Sequence, residues 1–277
     1  NILKYWVFSE KPEFHVIPTD TINIHIDKDA LLRSGIMLPK TIRHLKGEDL
    51  KDAIPDKLYI PLTDIRMLTK VDLLMLEMLA NCNWERPLYL AISVGSVSKL
   101  KFDNYFVQEG LAFRFTPFDY KKWGDVGENR LYAVDVERLY DNVMNRYKYG
   151  GLDTPGLYLD ETTLRTCWYH RRLFAQLAKE LIAQGDNERA KKVLAYAEQV
   201  IPGYNVPETH ESGSYDIATA YAALGEKTKA VTLAVHLIAE AEDYINWAFS
   251  LKGNRIEMVR NDCILSLIHI SEPTRRT

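Results

Sequence analysis

FAQLAKELIAQGDNERAKKVLAYAEQVIP, residues 174–202, decides how this chain is read. Phe174, Leu177, Ala178 and Leu181, then Ala190, Leu194 and Ala197, recur at helical spacing. Gly185 lies between the two runs, where a chain reversal needs a residue tolerant of positive φ. Pro202 follows the second run and stops it. Small Ala178 and Ala190 let two helices approach closely, while Phe174, Leu177 and Leu194 fill the space around that contact. The stretch predicts a helical hairpin.

The pattern returns further along, with Ile217, Ala218, Tyr221, Gly225 and Ala230 standing as Leu177, Ala178, Leu181, Gly185 and Ala190 do. Both copies resemble the tetratricopeptide repeat, the first position by position. In the second, Ala234, Leu237 and Glu242 replace the larger, smaller and proline residues usual there. The offset exceeds the usual repeat of about 34 residues, and the excess fits GYNVPETHESG, residues 203–213, a loop by composition. Two repeats are fewer than the roughly three an independent solenoid needs. They are expected to lean on the first half of the chain.

That first half mixes strands and helices. INIHID (22–27) alternates strictly, with Ile22, Ile24 and Ile26 on one face. PLYLAISV (87–94) places Leu88, Leu90, Ile92 and Val94 together, and LAFRFT (111–116) does so with Leu111, Phe113 and Phe115. KLYIPL (57–62) is a fourth strand, confined to an edge or ended by Pro61. Among these lies TKVDLLMLEMLANCNW (69–84), a helix capped by Thr69 with Asp72 in its first turn. Val71, Leu74, Met75, Met78, Leu79 and Cys82 form one face, and Leu73 and Leu76 make the other apolar too. Such a helix is expected to be covered on two sides, and offers the repeats a surface.

The expected class is therefore α+β. A small mixed sheet with a buried helix occupies residues 1–118, and a connector with one helix occupies 119–160. An all-α hairpin array occupies 161–264. The length suits one large domain or two modest ones. With 47% apolar and 26% charged residues and a net charge of −3, the composition is globular and argues against a nucleic-acid surface. No apolar run approaches the ~18 residues that span a bilayer. The first residue is Asn, so the start reads as a cut.

Little in the sequence looks like chemistry. His25, Asp27 and Asp29 can be drawn as metal ligands, but a solvated strand face explains them better. His210 with Glu208 and Glu211 falls in the inter-repeat loop. ISVGSVSK (92–99) lacks a nucleophile elbow, and phosphate-binding and dinucleotide patterns are absent. Cys82, Cys167 and Cys263 make neither a disulfide framework nor a metal pair, and Cys82 and Cys167, in helix-like runs, are expected to be buried inert thiols. Sixteen tyrosines are many for this length. They are read as lining a sheet–helix boundary, with stacking on sugars or peptides as the functional alternative. No catalytic residue, cofactor or metal is assigned.

Five stretches in order carry a family resemblance: IHIDKDALLRSG, LTKVDLLMLEMLANCNWERPLYLAISVG, NYFVQEGLAFRFTPF, LYDNVMNRYKYGG and DTPGLYLDETTLRTCWYHRRLFAQLAKELIAQGDNERA. They resemble the C-terminal soluble region of bacterial membrane proteins grouped as "domain of unknown function 2723", protein O-mannosyltransferase-like glycosyltransferases of family 117. The resemblance runs from about residue 14 to 250. Asn83-Trp84-Glu85-Arg86-Pro87 and Gln108-Glu109-Gly110-Leu111-Ala112 are its most specific parts. It implies a multi-spanning N-terminal transferase using a lipid-linked sugar, with this region on the periplasmic face of the inner membrane. The implied catalytic acid lies in that membrane domain, so none is carried over. LSLIHISEPTRRT, residues 265–277, is not family sequence and resembles a translated sequencing adaptor; it is read as a non-native tail. The leading expectation is a non-catalytic accessory domain that contacts acceptor protein or a partner through the repeats, with the parent's own membrane domain as a further partner. A stand-alone tetratricopeptide scaffold and a carbohydrate-active enzyme with a dispersed site remain the alternatives.

Overall fold

The computed structural model describes residues 9–11, 19–63, 65, 67–94, 100, 102–127, 132–209, 211–251 and 259. The chain divides into two compact units, residues 1–135 and 136–277.

The first unit is α/β. Strands β1 (Thr21–His25) and β2 (Lys57–Pro61) pair antiparallel, Thr21 opposite Pro61 and His25 opposite Lys57. Pro61 closes the ladder, as a residue without an N–H must. Between them run helices α1 (Lys28–Arg33) and α2 (Gly47–Ala53), and after them α3 (Lys70–Asn81). A second, mixed sheet follows, with β3 (Tyr89–Ala91), β4 (Phe106–Gln108), β5 (Ala112–Phe115) and β6 (Ala133–Val134). Its order is β3-β5-β4-β6, antiparallel except for the parallel β4–β6 pair. The expected single sheet is thus two small ones. PLYLAISV holds only a three-residue strand, because the chain turns at Ile92 and Ser93.

One core joins these elements: Ile24, Ile26, Leu31, Leu58, Ile60, Leu76, Leu79, Trp84, Phe115, Phe118 and Tyr120 are all buried in it. Phe118, Tyr120 and Val126 bring the turn-rich 118–126 segment into that core. The Tyr120 hydroxyl donates to the Met37 carbonyl, and both oxygens of Asp125 accept from the Lys40 N–H. Burial raises the Tyr120 phenol well above its ordinary pKa.

Helix α3 is buried along one side rather than covered on the two sides expected. Asp72, Leu73, Leu76 and Leu79 are its buried residues, whereas Val71, Leu74 and Met78 are exposed. The cause is the capping box. Asp72 Oδ2 accepts from both the N–H and the hydroxyl of Thr69 at 2.7 Å, and Thr69 Oγ1 accepts from the Asp72 N–H. A buried, fully engaged Asp72 turns the residues four and seven positions on, Leu76 and Leu79, toward the core.

Past α3 the chain reverses through Asn83 and Trp84, both left-handed at φ 48° and 60°. Two successive non-glycine residues there are costly, and burial of the indole holds the turn. Trp84 Nε1 donates to the His25 carbonyl at 2.8 Å, and its ring stacks on Phe115 with centroids 6.4 Å apart.

The second unit is a run of helices packed in pairs: α4 (Val136–Asp141), α5 (Glu161–Ala183), α6 (Asn187–Val200), α7 (Ser214–Ala223) and α8 (Lys227–Ser250). Helix α5 packs on α4, α6 and α7, and α7 on α8. Asp160 caps α5 by accepting from the Thr162 and Thr163 N–H groups. The α5–α6 and α7–α8 turns share one geometry. Gly185 and Gly225 take φ 81° and 76°, and the next residue donates back into the helix, Asp186 to Leu181 and Glu226 to Tyr221.

Candidate functional site

The residues singled out in the two helical patterns are placed as follows. Phe174, Leu177, Ala178, Leu181, Ala190 and Leu194 have no exposed surface, and Ala197, Ile217, Ala218, Tyr221 and Ala230 are buried. Gly185 and Gly225 make the two turns, and Pro202 follows the Ile201 C-cap of α6. The buried ones lie within the helical pairs, and the two glycines are exposed at the turns. On α8, Val231, Val235, Trp247 and Phe249 are each more than half exposed.

The inter-pair loop is organised by a residue that sequence reasoning missed, Arg171. It lies on α5 and is buried among carbonyl groups. Nη1 donates to the Pro207 carbonyl at 2.9 Å, and Nη2 to those of Val206 at 2.5 Å and Ile201 at 3.3 Å. Burial pushes the guanidinium down to about 10, opposed by nearby Glu208, so it stays charged at neutral pH. The loop is in turn stitched to the 150–156 segment. Asn205 Nδ2 donates to the Leu152 and Thr154 carbonyls, and the Tyr204 hydroxyl to the Asp153 carbonyl. Only an arginine inside an otherwise apolar helical stripe hinted at this role. Arg171→Met keeps the volume but strands three carbonyls, so we expect a loss of about 2 kcal/mol and faster proteolysis within 201–213. Urea unfolding and limited proteolysis measure both, and an unchanged cleavage rate would remove Arg171 as the organiser.

Beside the loop sits an aromatic cluster. Tyr149 meets His170 at 5.4 Å, Phe174 at 5.6 Å and Tyr196 at 6.0 Å, and Tyr147 meets His170 edge-on at 5.7 Å. Burial lowers the His170 pKa, so the imidazole is neutral at physiological pH. These tyrosines lie among helices rather than at the expected sheet–helix boundary. A cleft of about 330 Å³ opens here, lined by Tyr147, Lys148, Tyr149, Asp153 and Tyr196 among others.

In the first unit, Arg114 and Glu109 form a buried ionic pair at 3.6 Å. Arg114 also donates to the Ser34 carbonyl and hydroxyl, at the end of α1, and Glu109 accepts from the Tyr89 hydroxyl at 2.8 Å. Helix-end carbonyls favour such a cation, so this cluster holds β5 to α1. Arg114 and Phe115, on opposite faces of β5, are both buried, where the alternation of LAFRFT suggests one buried face. A separate apolar groove of about 240 Å³ runs between α3 and β3, lined by Val71, Met75, Met78, Leu88, Tyr89 and Phe106 among others.

The residues drawn as metal ligands have other work. Asp27 caps α1 by accepting from the Ala30 N–H at 2.9 Å, and Asp29 pairs with Lys51 at 2.8 Å. Among the described residues no group of three His, Cys, Asp or Glu side chains could hold a metal. Cys167 is buried and Cys82 half-buried. His210, Cys263 and the 265–277 tail lie outside the described residues. Among those residues no helix is long and apolar enough to cross a membrane.

No curated protein and no solved structure matches the chain. A family model does match: TMEM260-associated domain 2, over residues 3–137, which takes in the α/β unit and stops at the start of the helices. TMEM260 is a protein O-mannosyltransferase-like family, the same group to which the sequence resemblance leads. The α/β unit is thus similar to a domain associated with TMEM260, an O-mannosyltransferase-related membrane protein.

Proposed function

We propose that this chain is a non-catalytic accessory region of a membrane-bound, lipid-linked-sugar-dependent glycosyltransferase. It works on the periplasmic face of the inner membrane and contacts acceptor protein, or another part of the same protein, through its helical pairs. The observation that carries the reading is the family match over residues 3–137. Exposed Val231 and Val235, one turn apart on α8, offer an apolar contact point in support. A free-standing helical scaffold is the second reading, favoured by the run of paired helices in the second unit.

Long-read sequencing of the source locus separates them. An in-frame upstream region with several runs of ~20 apolar residues is expected, whereas a start codon immediately before Asn1 would overturn the transferase reading. In the parent protein, a photo-crosslinking residue at Val235 is expected to trap acceptor or membrane domain. The same residue at Lys192, on the exposed side of α6, is expected to trap neither.

A further inference from the structure

We infer that the tyrosine-lined cleft of the helical unit is a binding site for a neutral saccharide, one or two hexose rings in size. The inference stands on this cleft alone and does not depend on the parent being a transferase.

The cleft is built by a local irregularity. Helix α4 does not end normally; it widens into a π turn over Asn142–Arg146, and the chain then extends from Tyr147. A π turn is rare and is frequently found at functional sites. Here its residues Met144 and Asn145 line one wall of the cleft, with Tyr147 and Tyr149 just beyond. Tyr196 and Val200 of α6 line another. Gly151 and Asp153 line a third, and that segment is the one fixed by Tyr204 and Asn205. The inserted loop, itself gripped by Arg171, therefore holds a wall of the cleft. A site whose walls are fixed in advance spends little binding energy on ordering.

Its chemistry selects the ligand class. Tyr147, Tyr149 and Tyr196 line the cleft and are each half-buried, which leaves part of each phenol open to the C–H face of a pyranose. Tyr149 is anchored by donating its hydroxyl to the Val143 carbonyl at 2.7 Å. Polar groups suited to hydroxyls share the same lining: the Asp153 carboxylate accepts, the Lys148 ammonium donates, and the Asn145 amide carries an acceptor oxygen. Asn145 Nδ2 is engaged by Asp141 at 3.0 Å. One cation and one carboxylate balance, and the neighbouring His170 is neutral, so nothing favours an anionic ligand such as a phosphate. The volume is at the lower end for small-molecule sites, roughly 300–1,000 Å³, which admits one or two sugar rings but not an extended peptide.

Saturation-transfer NMR on the intact chain tests this, with millimolar methyl α-D-mannopyranoside and methyl β-D-glucopyranoside as probes. Transfer to at least one hexoside is expected. Asp153→Ala and Lys148→Ala change exposed side chains, so folding should persist, and each is expected to weaken binding about tenfold. Tyr196→Ala should abolish transfer; because it also packs on Phe174, its melting curve is compared with wild type. No transfer to either hexoside overturns the inference. Transfer unchanged in the Asp153→Ala/Lys148→Ala double variant overturns the site. Preferential binding of glucuronate or of a proline-rich peptide overturns the neutral-sugar assignment.

Discussion

Replacing Ala190 with lysine is expected to melt the helical unit well below the wild-type temperature. Ala190 has no exposed surface and lies in the first turn of α6, where its N–H donates to the Asp186 carbonyl. The buried residues of α5 and α6 include Ala178, Leu181 and Leu194, all without exposed surface. A lysine there must either carry its ammonium into an apolar layer or force the two helices apart. The first costs several kcal/mol of desolvation and the second about 1–3 kcal/mol of overpacking. We expect a loss of about 3 kcal/mol, lowering Tm by roughly 10 °C for a unit of this size. Ala190→Ser is the control, since it adds one small hydroxyl. Melting within a degree or two of wild type would mean that the helix register read from residues 174–202 is wrong.

Trp84→Ala carries the largest expected effect in the α/β unit. Three losses coincide. The core gains a cavity where the indole lay, and the His25 carbonyl loses its donor. The left-handed pair Asn83–Trp84 also loses the buried ring that holds it. Truncating a buried aromatic alone costs about 3–5 kcal/mol. Urea unfolding of the whole chain, followed by near-ultraviolet circular dichroism, should show that the α/β transition moves while the helical one stays. Trp84→Phe is expected to recover part of the loss, because it restores volume without the N–H. A change below about 1 kcal/mol for Trp84→Ala would show that the turn is set by its backbone neighbours instead.

How far these features were legible in the sequence depends on how many constraints each residue obeys. The α5–α6 hairpin was readable because apolar period, a turn glycine and a terminating proline all agree between Phe174 and Pro202. Strand β1 was readable because polar Asn23 and His25 alternate with Ile22, Ile24 and Ile26. Strands β4 and β6 were not, since three and two residues carry no period. Helix α3 was found but expected to be covered on both sides, whereas one side is exposed. Apolar residues surround it, so periodicity cannot choose a side, and buried Asp72 made the choice. The cleft was invisible for another reason. Tyr147 and Tyr196 belong to different elements, and the third wall is fixed through Tyr204 and Asn205, in a segment held by Arg171.

The parallel pairing of β4 with β6 bears on the order in which the protein acquires structure during synthesis. Val107 cannot find Ala133 until nearly the whole α/β unit has emerged, so its sheet closes through contacts distant in sequence. The α5–α6 and α7–α8 pairs close through short turns and need only their immediate neighbours. Search time rises with sequence separation between partners. The second sheet is therefore completed late, and β4 keeps an unpaired edge until β6 has been made. A mutation that weakens β6 should show itself as aggregation during expression before it appears as lowered stability in the purified protein.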